Sequence, residues 1–133
     1  MISVNDQYPF VSIVIPTLNR KADIVECLDS IQNLDYTKNK IELIVWDNGS
    51  TDGTLEAIKS KDKEMIHKGF SKVEIIKSRE NLGPYVPYNQ VQTRLSRESQ
   101  YILGLDDDVV LDKNCLAKLV EATRVDPCVG VVG

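Results

Sequence analysis

The chain has 133 residues, of which 42% are apolar and 27% charged, and its formal net charge is −4. That length suits one domain able to bury a sizeable core without disulfide or metal staples. The composition disfavours disorder and a coiled coil, and the acidic balance argues against broad attraction to nucleic acid or anionic membrane.

In chain order, VSIVI (11–15) is a short β-branched apolar run closed by Pro16, and it predicts a buried strand. KADIVECLDSIQNL (21–34) sets Ile24, Val25, Leu28, Ile31 and Leu34 on one helical stripe. After the polar loop DYTKNK, IELIVW (41–46) predicts a second strand, ended by DNGSTDGT. Residues 52–66 read as a helix with Ser50, Thr51 or Asp52 as cap, and VEIIK (73–77) as a third strand. NLGPYVP is turn-rich, and 88–98 predicts a weakly amphipathic helix. YILGL (101–105) is a fourth strand, LDKNCLAKLVEATRV (111–125) a helix, and CVGVV (128–132) a fifth strand.

The alternation βαβαβαβαβ with continuous apolar strands predicts an α/β fold. It is a doubly wound, mainly parallel sheet with helices on both faces. No Ser/Gly/Pro linker or repeat divides the chain, so residues 1–133 form a single domain. Ending on a strand-like VGVVG, it is expected to be part of something longer on the C-terminal side.

Cys27, Cys115 and Cys128 are odd in number and lack the spacing of a zinc site, so they read as small apolar residues of a reducing compartment. His67 is the only histidine, which argues against a multi-histidine metal centre. No basic-apolar leader and no run of about 18 apolar residues is present, which predicts a cytoplasmic chain.

Ligands of such sheets bind beyond the carboxyl ends of the strands. The unusual residues of this sequence fall there: PTLNR, DNGSTD, SRENLG and DDD. Asp47 and Asn48 can fix a ring or sugar by hydrogen bonds, and Gly49 permits a tight turn. As a lone motif this reads more simply as a capped strand-to-helix turn. Neither a GxxxxGK[ST] cradle nor a GxGxxG turn is present, which disfavours P-loop and dinucleotide chemistry.

Asp106, Asp107 and Asp108 place three like charges in succession after a core strand, more than a helix cap requires. Two such charges about 4 Å apart cost on the order of 4 kcal/mol at an effective dielectric near 20, and a cation offsets that. Oxygen ligands without His or Cys suit Mg²⁺ or Mn²⁺. An EF-hand fails, because Leu111 and Ala117 stand where glycine and glutamate are needed. A hard cation beside a groove for a base suggests nucleoside diphosphate chemistry, with Arg20 and Arg79 as further positive charge.

Together, VSIVIPTLNR, IELIVWDNGSTDGT, ENLGPYVPYN and YILGLDDDVVLDKNCL resemble the nucleotide-sugar-binding part of family 2 glycosyltransferases, of GT-A fold, over about residues 10–133. The resemblance implies a loop of Pro16, Thr17, Asn19 and Arg20 along base and ribose, and Asp47 and Asn48 at the base. It implies Asn81 and Gly83 in the donor pocket. It also implies a DxD motif in which Asp108 is the main metal ligand, with Asp106 and Asp107 toward ribose, sugar or the metal's waters. Asp106 and Asp108 are thus the candidate ligands of Mg²⁺ or Mn²⁺.

The implied donor is a nucleoside-diphosphate sugar of UDP type, and the acceptor a carbohydrate or lipid-linked hydroxyl in cell-surface polysaccharide biosynthesis. Transfer would be inverting, with the catalytic base outside this chain, so no catalytic residue is assigned within it. Nucleic acid is not an expected partner, and attachment to the inner membrane face is left to parts beyond these residues. Asn48, where many members carry a second aspartate, and the bulky PYVPYN after Gly83 depart from the family pattern. Two other readings stand beside this one: a non-catalytic nucleotide-sugar binding or assembly module, and a nucleotidyltransferase.

Overall fold

A computed structural model describes residues 8–133; the first seven residues of the span read as one domain, and most of the N-terminal stretch read for a leader, lie outside it. Four parallel strands form one sheet in the order β3-β2-β1-β4. They are β1 Val11–Thr17, β2 Ile41–Asp47, β3 Lys72–Lys77 and β4 Tyr101–Gly104. The helices are α1 Lys21–Gln32, α2 Thr54–His67, α3 Tyr85–Gln90 and α4 Cys115–Thr123, with 3₁₀ turns at Lys38–Lys40 and Val91–Arg94. Among the described residues no helix is long and apolar enough to cross a membrane.

Alternation along β1 and β2 sorts their side chains between two faces. Ile13, Ile15, Leu43 and Val45 pack with Ile24, Leu28 and Ile31 of α1, Ile58 and Met65 of α2, and Leu116 and Val120 of α4. Val14 and Ile44 turn the other way, toward Val91, Tyr88 and Leu95. Both central strands are buried on both sides, which is why they read as unbroken apolar runs. Each fully buried Ile or Leu contributes about 1.5–3 kcal/mol relative to exposure.

β1 continues two residues past the expected end, through Pro16 and Thr17, which lie in register with Trp46 and Asp47. Val14 C=O accepts Leu105 N–H at 3.0 Å, so even-numbered residues of β1 face β4. β4 ends at Gly104, and the N–H that proline lacks falls where there is no ladder left to join.

The ends of α1 and α2 shift by one or two residues from the sequence reading, and Gly53 rather than Ser50, Thr51 or Asp52 stands at the N-cap of α2; the larger differences lie in α3 and α4. α3 begins at Tyr85 and gives way to a 3₁₀ turn after Gln90, because Pro87 is tolerated in a first helical turn but not further in. α4 begins only at Cys115, since the Asp112 carboxylate accepts Asn114 N–H at 2.9 Å and its carbonyl accepts Cys115 N–H at 2.9 Å, closing a local turn. The fifth strand is not formed. Residues 130–132 line an apolar groove beside β4 without pairing to it, and Gly130 and Gly133 weaken strand formation there.

Candidate functional site

Parallel strands bring all their carboxyl ends to one edge, and a cleft of about 360 Å³ opens there. β1 contributes Pro16, Thr17 and, from the following loop, Leu18 and Arg20. β2 contributes Asn48, and the loop after β3 contributes Asn81, Gly83 and Pro84. Asp106, Asp107 and Asp108 close it from beyond β4. Segments up to 90 residues apart in sequence meet in a hydrogen bond from Thr17 Oγ1 to Asp107 Oδ2 at 2.7 Å.

Two of the residues singled out from the sequence stand behind the lining. Asp47 is fully buried, and its two carboxylate oxygens accept Ser50 N–H at 3.2 and 3.3 Å. It shapes the turn after β2. Asn19 adopts a left-handed backbone with φ 51°. Its Oδ1 accepts Thr51 N–H at 2.8 Å while its own N–H donates to Ser50 Oγ at 2.9 Å. Arg20 N–H adds a bond to Thr54 Oγ1 at 3.1 Å, so the loops after β1 and β2 brace each other.

Asn48 lies at the back of the cleft and is 4% exposed. Its Nδ2 donates to Gly83 C=O at 3.2 Å, an interaction only the amide nitrogen can make, which fixes the side-chain orientation. The Oδ1 is buried without a hydrogen-bond donor from the protein. Gly83 itself has φ +80°, a conformation glycine adopts without the cost a side chain would incur. Asn81 Oδ1 accepts Gly83 N–H at 2.9 Å and so holds the same turn from the other side.

The acidic trio is anchored from beneath. Cys27 of α1 is buried, and its Sγ lies 3.9 Å from the Asp106 carbonyl oxygen. Burial first, then the charges of Asp107 and Asp108, push its thiol up to about 12. Leu111 N–H donates to Ser30 Oγ at 3.0 Å, tying the chain just after the trio to α1 as well. The Asp106 and Asp108 residues remain exposed, whereas Asp107 is partly buried against Thr17.

Among the described residues no group of three or more His, Cys, Asp or Glu side chains converges as a metal cage. Mg²⁺ and Mn²⁺ in phosphate chemistry do not need one, because one or two carboxylates combine with water and substrate phosphates. Exposed Asp106 and Asp108 fit that pattern, and their all-oxygen chemistry suits a hard cation. Arg20 lines the cleft and pairs with Asp23 at 3.4 Å, an exposed contact that holds it only weakly. Arg79 is exposed and does not line the cleft.

Sequence reasoning missed Leu18 and Pro84 as lining residues. Both adjoin residues that were singled out, and an apolar wall beside a polar turn has no chemical signature of its own.

Residues 12–133 match the family model described as Glycosyl transferase family 2. The chain is 36% identical over 101 residues to glycosyltransferase AglE of Haloferax volcanii, covering 75% of this chain and 31% of that protein. It is 30% identical over 105 residues to poly(ribitol-phosphate) beta-N-acetylglucosaminyltransferase TarS of Staphylococcus aureus, covering 79% of this chain and 17% of that protein. Among solved structures it resembles the mannosyltransferase PcManGT from Pyrobaculum calidifontis in complex with GDP-Man and Mn²⁺. The TM-score there is 0.82 at 28% identity, over 92% of this chain and 34% of that one. With S. aureus TarS 1–349 in complex with UDP-GlcNAc the TM-score is 0.73 at 25% identity, over 86% of this chain and 31% of that one. The chain thus spans about a third or less of each of these relatives.

Proposed function

The chain belongs to glycosyl transferase family 2, and from that premise we propose that its cleft binds the nucleoside-diphosphate sugar donor of a metal-dependent, inverting glycosyltransferase. The observation that carries this reading is the meeting of four strand-end segments around one cleft, with polar groups suited to the different parts of such a donor. Asn48 offers a buried amide oxygen without a protein donor, suited to a base N–H. The Pro16–Arg20 loop forms the wall for base and ribose, and Arg20 brings positive charge toward the diphosphate.

A diphosphate entering a cleft that holds three aspartates meets repulsion, which a divalent ion on Asp106 and Asp108 reverses. When bound, the ion supplies Lewis-acid stabilisation of the departing nucleoside diphosphate. Asp107, held by Thr17, fixes the orientation of the turn that presents its two neighbours. The acceptor hydroxyl attacks the anomeric carbon in a single displacement, with inversion. Its proton goes to a general base, a role given to no residue of this chain.

Support for the cation and for the donor class comes from the neighbour bound to GDP-Man and Mn²⁺ and the one bound to UDP-GlcNAc. The test is calorimetric titration of this chain with UDP and GDP, with and without Mn²⁺, on wild type and Asp108→Ala. Binding that Mn²⁺ strengthens in the wild type, and that loses this gain in Asp108→Ala, is expected. Equal binding by the variant removes the metal assignment, and no binding of either nucleotide removes the donor site.

A further inference from the structure

The six-residue helix α3 follows directly on the cleft wall and touches the backbone that leads into the acidic trio. At its start, the Gly83 carbonyl accepts Asn48 Nδ2, and Gly83 and Pro84 line the cleft wall. One turn further on, Tyr88 reaches from α3 to β4, where its hydroxyl donates to the Leu105 carbonyl at 3.3 Å. That carbonyl belongs to the peptide entering Asp106. The Tyr88 ring lies directly over Gly104, where an added Cβ would stand 3.0 Å from Cε1 and 3.4 Å from the hydroxyl oxygen. A side chain at 104 would therefore push the ring aside, and the constraint there is space and not an unusual backbone angle.

Tyr88 is half-buried, and it touches none of the aspartate side chains through a hydrogen bond; it contacts the strand that delivers them. Burial first, and then the charge of Asp106, raise its pKa, so the hydroxyl stays in its donor form. On this face a small cluster holds α3 and the 3₁₀ turn after it to the sheet: Val91 against Val14 and Ile44, with Tyr88, Ile76 and Leu95 beside them. A shift of the Asn81–Pro84 loop bears on a short helix that also contacts the backbone under the trio.

We propose that Tyr88 is a positioning residue that couples the Asn81–Pro84 loop to the Asp106–Asp108 turn, so that nucleotide and divalent cation bind cooperatively through α3. The inference rests on the donor-site reading above. Direct contact between cation and phosphate supplies coupling of its own, and Tyr88 adds the part that passes through the protein. By linkage, a nucleotide that settles the loop must strengthen the metal by the same factor that the metal strengthens the nucleotide.

The test uses this chain and the tighter-binding of UDP and GDP, titrated with and without Mn²⁺. The quantity read is the ratio of the two affinities, with the melting temperature taken alongside. Tyr88→Phe keeps the ring and removes the hydroxyl. It is expected to lower the ratio by about threefold to tenfold, the range one neutral hydrogen bond commands, while affinity without Mn²⁺ and the melting temperature stay near wild type. Gly104→Ala, which displaces the ring from the other side, is expected to lower the ratio in the same sense and carries the test if Tyr88→Phe fails to fold. A wild-type ratio in a folded variant overturns the proposal, as does an equal loss of affinity with and without Mn²⁺, which marks a merely structural role. Absence of any Mn²⁺ effect in the wild type sinks the donor-site reading itself, and this inference with it.

Discussion

Thr17 and Asp107 stand 90 residues apart in sequence, yet the threonine hydroxyl donates to the aspartate carboxylate at 2.7 Å. Thr17 is 3% exposed and ends β1 in register with Asp47 of β2, so the acidic turn is referenced to the sheet itself. A hydrogen bond to a charged acceptor contributes about 1.5–3 kcal/mol. Thr17→Val, of nearly the same shape, is expected to weaken Mn²⁺-dependent nucleotide binding by about tenfold or more in calorimetry. An affinity equal to wild type would show that the trio holds its place without β1.

Asn48→Asp replaces the amide that faces the Gly83 carbonyl with an acceptor, setting two oxygens against each other across a 3.2 Å contact. The loop after β3 is expected to loosen. Thermal unfolding should show a loss of about 1–3 kcal/mol, and limited proteolysis should cut sooner within 79–84. Unchanged melting and unchanged cleavage would mean that the loop is held by its own Asn81–Gly83 turn.

The Cys27 thiol, raised to about 12 by burial and by Asp107 and Asp108, gives an alkaline signature. Its unfolded-state value is near 9, so both states are protonated below that pH and its contribution is fully present there. Between about 9 and 12 the unfolded chain loses the proton first, and stability falls as pH rises. Cys27→Ala is expected to flatten that alkaline loss in denaturation curves taken across the window. At pH 8, iodoacetamide should label exposed Cys128 and leave Cys27 intact, read by mass spectrometry of the folded chain.

Glu42 is buried at the opposite end of the strands, where it accepts the Ser12 hydroxyl and Ser96 N–H, the latter at 2.8 Å. Lys72 Nζ stands 3.9 Å from its second oxygen. Glu42→Leu removes the acceptor of Ser96 N–H and one of the two partners of the buried Ser12 hydroxyl, which keeps Ser99, and is expected to cost about 1–3 kcal/mol in urea denaturation. Nucleotide binding at the distant cleft should be preserved in the protein that remains folded. A loss of binding greater than the loss of folded protein would connect the two ends of the sheet.

The strands and three of the helices were legible because each carries a local pattern: an unbroken apolar run for β1 and β2, and an apolar stripe for α1, α2 and α4. The limits of α3 and α4 were not legible. They turn on whether Pro87 falls in a first turn, where it is tolerated, or further in, where it costs about 3 kcal/mol, and on whether the Asp112 carboxylate bonds to the backbone beside it. The absent fifth strand has a different cause. A strand exists only against a partner, and no hydrophobic pattern reports whether one pairs with it.

By itself the sequence determined the class of fold and which turns would crowd one edge, because side-chain periodicity fixes element type and parallel strands must align their carboxyl ends. Only the tertiary structure decided what each polar residue at that edge does. Asp47 and Asn48 are neighbours in the chain, yet one is spent on Ser50 N–H inside the turn and the other keeps a buried oxygen without a donor at the cleft. That division depends on hydrogen-bond partners supplied by other strands, and a linear pattern carries no information about distance in space.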